Sequence, residues 1–202
     1  KEGPKKVNTE KESEIKDVFS IQLWVNLPKA HKMDAPKYQD MRAEEIPSKD
    51  FGDVRIKVVA GNAFGIESHT NTFTPIVYAH IAKADSATEN TTQKISTDVD
   101  PTHNVIIFPL VGTISGVASS SETGENKTFE VEEGKAFVGS GIDKLEFNEP
   151  ESSENGTDVL LLTGQPIGEP VVRYGPFVMN DVHEIQQAFE DFRNGKMGDI
   201  PA

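Results

Sequence analysis

Residues 105–114 read VIIFPLVGTI, an apolar and largely β-branched run that one glycine interrupts near its end. A short run of this kind, bounded by turn residues, is typical of a buried β-strand. Many short strands with turn signals between them predict an all-β sandwich or barrel instead of alternating strands and helices. Two acidic, Ser-rich stretches, residues 119–127 and 148–156, are expected as exposed hairpin ends. The further β-rich runs, divided by Gly, Asn, Asp and Ser, are residues 54–59, 74–81, 129–131, 136–138, 144–147 and 159–163.

On the C-terminal side of these runs the sequence predicts one α-helix. Asp181 and Glu184 have the spacing of a capping box, and Gly195 and Gly198 supply the stop signals. The apolar positions between them repeat at helical spacing and form one stripe, which needs a surface to cover. The outside of the β-sandwich is the simplest expectation for that surface. The stripe consists of Ile185, Ala188, Phe189 and Phe192.

On the N-terminal side, residues 21–27 read IQLWVNL, with apolar residues at alternate positions. This alternation predicts a strand with one buried face, which Pro28 ends. The residues before it are polar and charged, and residues 29–45 form a polar connector in which short helical turns are expected. We therefore predict an extended arm, strand and linker over residues 1–45 and one β domain over residues 46–198.

Composition restricts the classes of function. The net charge of −13 opposes nucleic-acid binding, and no apolar stretch approaches the roughly 20 residues of a membrane helix. The chain has no cysteine, which removes disulfides and thiolate sites and fits a reducing compartment. An intracellular location is therefore favoured: cytoplasm, nucleus, or an organelle after removal of a targeting segment. Since Lys1 stands first, the sequence leaves open whether a targeting segment or a further domain precedes it.

Three segments of the chain resemble the pirin family. They are residues 21–38 (IQLWVNLPKAHKMDAPKY), residues 75–116, which end in the turn VGTISG, and residues 163–198, which contain TGQPIGEPVV and GPFVMN. The resemblance implies a cupin-type double-stranded β-helix, which is a jelly-roll sandwich, with an extended N-terminal arm and one C-terminal helix. It also implies that residues 46–198 are similar to the second, C-terminal cupin domain of a pirin.

The resemblance carries expectations about metal binding. Pirins have two jelly-roll domains, of which the N-terminal one holds a mononuclear iron in a His-rich site and the C-terminal one lacks a metal. Some members are quercetin dioxygenases and others are nuclear transcription cofactors. The family's iron ligands would lie upstream of Ile21, where this chain has a charged arm without a cupin pattern. We therefore expect no metal or other cofactor in this chain.

The cupin metal motifs are degenerate in the residues themselves. A His-x-His pair followed by Glu occurs nowhere, and the matching stretch, residues 85–90, offers Asp85 and Glu89 without an imidazole. The second motif can be aligned from Gly134 so that Lys144 occupies the histidine position. A protonated lysine has no lone pair to donate and repels a divalent cation. We therefore predict no metal ligand and no catalytic residue.

Two histidines border apolar runs. His80 ends one run and His103 precedes another, so the two could face one pocket together with Lys144 if their strands are neighbours. Such a pocket would bind a ligand or place an acid/base pair. The alternative is two independent strand-end histidines, each with its own hydrogen-bond partner.

The aromatic residues near both ends of the chain are candidates for an interface. In pirins the strand that carries Trp24 belongs to the N-terminal domain, so here it needs a sheet from elsewhere. Leu23 lies on the same strand. Phe177, Phe189 and Phe192 are the C-terminal candidates, and packing in a core is the default expectation for Trp24, Phe177 and Phe189.

Three hypotheses for function follow. The first is a non-catalytic pirin-like cupin module that acts through protein–protein interaction, or as a structural or accessory subunit in a larger complex. The second is part of a pirin-type quercetin dioxygenase whose metal domain is missing from this chain. The third is a small-molecule sensor or transcription cofactor, with an unidentified ligand in the interior of the sandwich.

Overall fold

Antiparallel strands make up most of the structure. The computed structural model describes residues 20–84, 95–148 and 158–197. Within them a 3-10 turn, Lys29–His31, precedes the strands and one helix, α1 (Val182–Arg193), follows them. The strands are β1 (Ser48–Phe51), β2 (Val54–Ala60), β3 (Asn62–Ala63), β4 (Ile66–Glu67), β5 (Ile76–Lys83), β6 (Ile95–Asp98), β7 (Asn104–Val111), β8 (Ile114–Ser119), β9 (Asn126–Val131), β10 (Phe137–Ser140), β11 (Lys144–Phe147), β12 (Asp158–Gly164), β13 (Val172–Tyr174) and β14 (Phe177–Met179).

The strands form two main sheets that pack face to face. The larger sheet has the order β1-β2-β5-β12-β7-β10 and the smaller one β6-β11-β8-β9. Because consecutive strands cross between the two sheets, the topology is that of a jelly-roll sandwich, which confirms the predicted cupin-type fold. Every predicted β-rich run overlaps a strand, although the runs 74–81 and 136–138 begin before β5 and β10, and residues 105–114 are divided between β7 and β8. Gly112, with φ of +77°, makes the turn between them.

The core lies between the two sheets. Inward positions alternate with outward ones, as in β2, where Ile56 and Val58 are fully buried. Strands β7, β12 and β11 contribute further fully buried side chains, among them Leu161 and Leu145. Phe147 lies at the centre of an aromatic group whose ring centroids are separated by 5.1 to 6.1 Å: Phe64, Phe129, Phe137 and Phe147. The interior is therefore an apolar core.

Helix α1 is capped as predicted but packs elsewhere. The carboxylate of Asp181 accepts a hydrogen bond from the backbone N–H of His183 (2.7 Å), and Glu184 accepts one from the backbone N–H of Asn180 (3.0 Å). The expectation that the helix covers the sandwich was wrong. Its main contacts are with the β13–β14 hairpin. The aromatic residues of that hairpin offer the stripe a surface of its own, so the sandwich is not needed.

The strand predicted over residues 21–27 is also corrected by the structure. These residues pair with no strand and make no backbone–backbone hydrogen bond within the described part of the chain. A β-strand forms only where a neighbouring backbone supplies hydrogen-bond partners, and an alternating side-chain pattern does not supply such a backbone. Residues 21–27 are called the arm segment below.

The remaining connections agree with the sequence where they are described. The hairpin between β8 and β9 ends in an exposed turn over residues 120–125, as predicted. The second predicted hairpin end, residues 148–156, lies outside the described residues apart from Asn148. Among the described residues, no helix has both the length and the apolar character that crossing a lipid bilayer requires.

Candidate functional site

A pocket of about 270 Å³ opens at one end of the sandwich. Its walls come from β3, the start of β5, the end of β6, the turn before β7, and β12. Since β6 belongs to the smaller sheet and β12 to the larger one, the pocket lies where the two sheets separate. An open groove lined by residues 62–65 and 96–100 adjoins it.

Three buried polar side chains converge on this pocket. Thr97, His103 and Thr163 are each 6% exposed, they are the buried polar or charged residues of the described chain, and all three line the pocket. His103 Nδ1 lies 2.9 Å from Thr163 Oγ1. Thr97 Oγ1 accepts the backbone N–H of Phe64 at 2.9 Å. Buried polar groups normally have partners, so this arrangement holds the imidazole in a fixed position.

A tight turn delivers His103 to the pocket. The backbone N–H of His103 donates to the carbonyl of Asp100 (2.9 Å), and Pro101 occupies the second position, where its fixed φ favours the turn. The Asp100 carboxylate accepts hydrogen bonds from the hydroxyl and the backbone N–H of Thr102, at 2.6 and 2.9 Å. These hydrogen bonds from Thr102 lower the pKa of Asp100. A carboxylate is therefore maintained beside the pocket mouth.

The structure does not bring the three predicted pocket residues together. Only His103 lines the pocket, because His80 alternates along β5 with the buried Ala79 and Ile81 and therefore faces away from the interior. His80 Nε2 lies 2.5 Å from Asp158 Oδ1. Burial, and then the charge of Asp158, raise the pKa of Tyr78 beside this pair. Lys144 is exposed on β11 and forms an ion pair with Glu146 (3.3 Å).

Thr97 and Thr163 were missed by reasoning from the sequence. Threonine is common in strands, so neither residue stands out from its neighbours. The hydrogen bond of Thr163 to His103, and the place of Thr97 in the same pocket, depend on how the two sheets pack, which no local pattern specifies. The one usable signal was His103 itself, a polar residue placed directly before an apolar run.

The described residues do not fit a cupin iron centre. They contain no group of three or more His, Cys, Asp or Glu side chains that could hold a metal ion. The position aligned with the second motif is Lys144, whose ammonium group is paired with a carboxylate. Asp85 and Glu89, from the stretch matched to the first motif, lie outside the described residues. We therefore derive no metal chemistry from this chain.

The arm segment presents apolar side chains to solvent. Trp24 is 68% exposed and Leu23 is 41% exposed, and neighbouring apolar residues of the segment are exposed as well. Large apolar side chains next to one another on a surface mark a contact site more often than isolated ones do. The segment thus combines unpaired backbone with uncovered apolar side chains.

The C-terminal interface candidates differ in their surroundings. Phe177 and Phe189 pack edge to face with ring centroids 4.9 Å apart, and Tyr174 contacts Phe189 at 5.7 Å. Phe192 contacts Phe177 at 6.4 Å but remains 66% exposed. Packing between helix and hairpin therefore accounts for Phe177 and Phe189, whereas Phe192 presents apolar surface to solvent.

Polar contacts tie the connector after the arm segment to the helix and hairpin. The backbone N–H of Lys29 donates to Glu169 (2.7 Å), and its ammonium group forms an ion pair with Glu184 (3.0 Å). The ammonium group of Lys32 donates to the carbonyl of Val178 (3.0 Å). These contacts fix the point at which the arm segment extends away from the helix and hairpin.

The contact between Lys29 and Glu184 predicts an acid dependence of stability. The hydrogen bond from Lys29, and then that from the backbone of Asn180, lower the pKa of Glu184, while Glu184 raises the pKa of Lys29. A lowered carboxyl pKa adds stability above the usual carboxyl range, and that stability is lost as pH falls through the lowered value. On the alkaline side the contribution persists until pH exceeds the raised pKa of Lys29.

Urea unfolding of Glu184→Gln against pH tests this dependence. We expect the variant to be less stable than wild type near neutral pH, and the difference to shrink as pH falls through the lowered pKa of Glu184. Glu190→Gln, an exposed position on the same helix, is the matched control and should match wild type throughout. A difference for Glu184→Gln that is unchanged in acid would show that the carboxylate charge is irrelevant.

Comparison with known proteins gives a consistent result. The family model for the Pirin C-terminal cupin domain matches residues 85–198. Pirin of Mus musculus is 37% identical over 88% of this chain and 57% of its own length, and pirin-like protein 2 of Arabidopsis thaliana is 35% identical over 88% and 52%. A solved structure of quercetin 2,3-dioxygenase from Acinetobacter baumannii is 31% identical, with a TM-score of 0.67 over 88% of this chain and 56% of that one. The chain thus spans little more than half the length of these relatives.

Proposed function

Because this chain belongs to the pirin family, we propose that it is a pirin-like cupin module that works by docking onto another protein domain and not by catalysis. The observation that carries the proposal is the arm segment, an extended apolar stretch without a partner sheet among the described residues. Among the described residues, no group of His, Cys, Asp and Glu side chains fits a cupin metal centre, and this supports a role without catalysis.

The proposed occupant of the arm segment is the edge of a β-sheet in a second cupin domain of the pirin type. Extended segments bind sheet edges by adding a strand, in which backbone hydrogen bonds supply affinity and alternate side chains supply specificity. In an extended segment Leu23 shares one face with Ile21, Val25 and Leu27, whereas Trp24 projects from the opposite face, so docking covers apolar side chains on both faces. The length of the relatives, nearly twice the matched region, leaves room for a second domain of this kind.

Anchoring of the connector supports a defined docking geometry. Lys29 and Lys32 hold the chain against the helix and hairpin directly after the arm segment. A strand that leaves a fixed point loses less conformational entropy on binding than one on a long free tail. Phe192, exposed on the helix, offers the same partner additional apolar surface.

Association with a separately produced N-terminal half of mouse pirin tests the proposal. We expect a complex in analytical ultracentrifugation that Trp24→Ala weakens about tenfold or more, as for other buried aromatic anchors. Tyr38→Ala is the matched control, because Tyr38 is an aromatic residue outside the arm segment and 85% exposed. The two outcomes that contradict docking through the arm segment are the absence of any complex and equal effects of both substitutions.

A second candidate function is the metal-free half of a quercetin dioxygenase. It is favoured by the likeness to the Acinetobacter protein, whose name states that activity. In this case the iron and the reaction belong to the other half, and this chain provides structural support. Iron content and quercetin consumption of the reconstituted complex test this function. A complex that contains no iron and consumes no quercetin would contradict it and leave the docking role as the remaining proposal.

A further inference from the structure

The pocket beside His103 has a feature that the proposed docking role does not use. Of the two ring nitrogens of His103, Nδ1 is engaged by Thr163 Oγ1. Within the described chain Nε2 has no hydrogen-bond partner, although the residue is only 6% exposed and lines the pocket. When Nδ1–H donates to the threonine, the neutral imidazole presents Nε2 as an acceptor toward the cavity.

Apart from His103, the ionisable side chains that line the cavity are carboxylates. Asp98 and Asp100 line its mouth as carboxylates, and the adjoining groove shares both residues. The described lining contains no lysine or arginine. Low-dielectric walls focus the field of such carboxylates, and the net charge of −13 adds to it. An anionic ligand is therefore disfavoured and a cationic one is attracted.

The apolar side chains of the cavity wall add a requirement for the shape and polarity of the ligand. Val77 and Leu161 face the cavity together with Pro75 and Ile76, so a ligand that enters can place an apolar part against this side while its polar group meets the threonines and His103. The volume of about 270 Å³ corresponds to the liquid volume of about nine water molecules, which suits a ring or a short branched chain. A hydrogen-bond acceptor at the inner end and carboxylates at the mouth then fit a molecule with an N–H donor group.

We propose that this pocket is a binding site for a small organic ammonium ion, whose N–H group donates to His103 Nε2 and whose charge is stabilised by Asp98 and Asp100. Thr163 holds the imidazole in place, and Thr97 fixes the β3–β4 turn at the pocket wall through the N–H of Phe64. The site is separate from the arm segment, so it persists whether or not the docking role is correct.

A matched series of probes tests the proposal by NMR titration of the full chain. Benzylamine, benzyl alcohol and benzoate have the same ring and differ in charge. We expect benzylamine to bind most tightly and to shift the signals of His103 and Thr163, benzyl alcohol to bind more weakly, and benzoate not to bind. Equal binding of all three probes, tighter binding of benzoate, or shifts confined to other residues would overturn the proposal.

Variants separate the two recognition elements. Asp98→Asn combined with Asp100→Asn should weaken benzylamine about tenfold and leave benzyl alcohol unchanged, because only the charged probe uses the carboxylates. His103→Gln should weaken both probes. If His103→Gln fails to fold, Thr163→Val, which removes the orienting hydroxyl, provides the second test and should also weaken both probes. Unchanged benzylamine binding in the double aspartate variant would contradict the role of charge.

Discussion

Gly61→Ala is expected to lower the free energy of unfolding by about 3 kcal/mol or more, in the range of the most damaging single substitutions. Gly61 follows β2 with φ of +79°, a conformation that costs a non-glycine residue about 1 kcal/mol. A Cβ atom at this position would also lie 2.0 Å from the carbonyl oxygen of Ile76. Because that oxygen belongs to the backbone of β5, no side-chain rotation relieves the overlap, and β2 must move away from β5.

Gly124→Ala is the matched control for this prediction. Gly124 also has positive φ, at +69°, but among the described residues other than Gly124 and its two chain neighbours no heavy atom lies within 4 Å of the place that an alanine Cβ would occupy. Only the conformational cost applies, so a loss of about 1 kcal/mol is expected. Urea unfolding followed by circular dichroism measures both variants. Equal losses for the two would show that the contact between β2 and β5 is not as close as the structure indicates.

Leu161→Ala should reduce the free energy of unfolding by about 3 kcal/mol, within the usual range for a buried leucine. Leu161 is fully buried at the centre of β12, between β5 and β7, and belongs to the core cluster. Truncation removes apolar area that folding withdraws from water and leaves a cavity. Strands on both sides hold the backbone in place, so the surroundings cannot collapse into that cavity.

The neighbouring residue provides the control. Leu162 lies on the same strand but faces outward and is only partly buried. Leu162→Ala changes the same chemical groups, and a loss of about 1 kcal/mol is expected. If the two alanine variants were equally stable, the inward face of β12 would not be the core.

Much of the fold was predictable because local patterns specify it. Strands such as β2 alternate buried and outward residues, and β12 is a continuous apolar run. Both features arise from side chains and need no knowledge of the partner strands. Strand β6, with the sequence ISTD, was not predicted. It is short and half polar, and pairing with β11 establishes it.

The arm segment shows the limit of pattern reasoning. Alternation predicted which side chains share a face, and this does not identify the sheet that covers them. The helix shows the same limit. Ile185 and Ala188 of its predicted stripe are buried, but Phe192 is exposed, and the main partner is the β13–β14 hairpin instead of the sandwich. In both cases the missing information is a contact between elements that are distant along the chain.

The candidate pocket was predictable only in part. His103 was identified because a polar residue next to an apolar run is unusual, but His80 and Lys144 proved to lie elsewhere. Whether His80 reaches the pocket depends on the face of β5 that it occupies, and it alternates there with the buried Ala79 and Ile81. Thr97 and Thr163 reach the pocket from different sheets, so only the three-dimensional structure relates them.

Backbone hydrogen exchange of the arm segment tests the central claim most directly. In the isolated chain these amides lack backbone partners and should exchange at the rate of an unprotected peptide. In the complex with the N-terminal half of mouse pirin, we predict slowed exchange at alternate residues between 21 and 27, since an added edge strand bonds every second N–H inward. A stable complex in which all of these amides still exchange at the unprotected rate would contradict docking by strand addition.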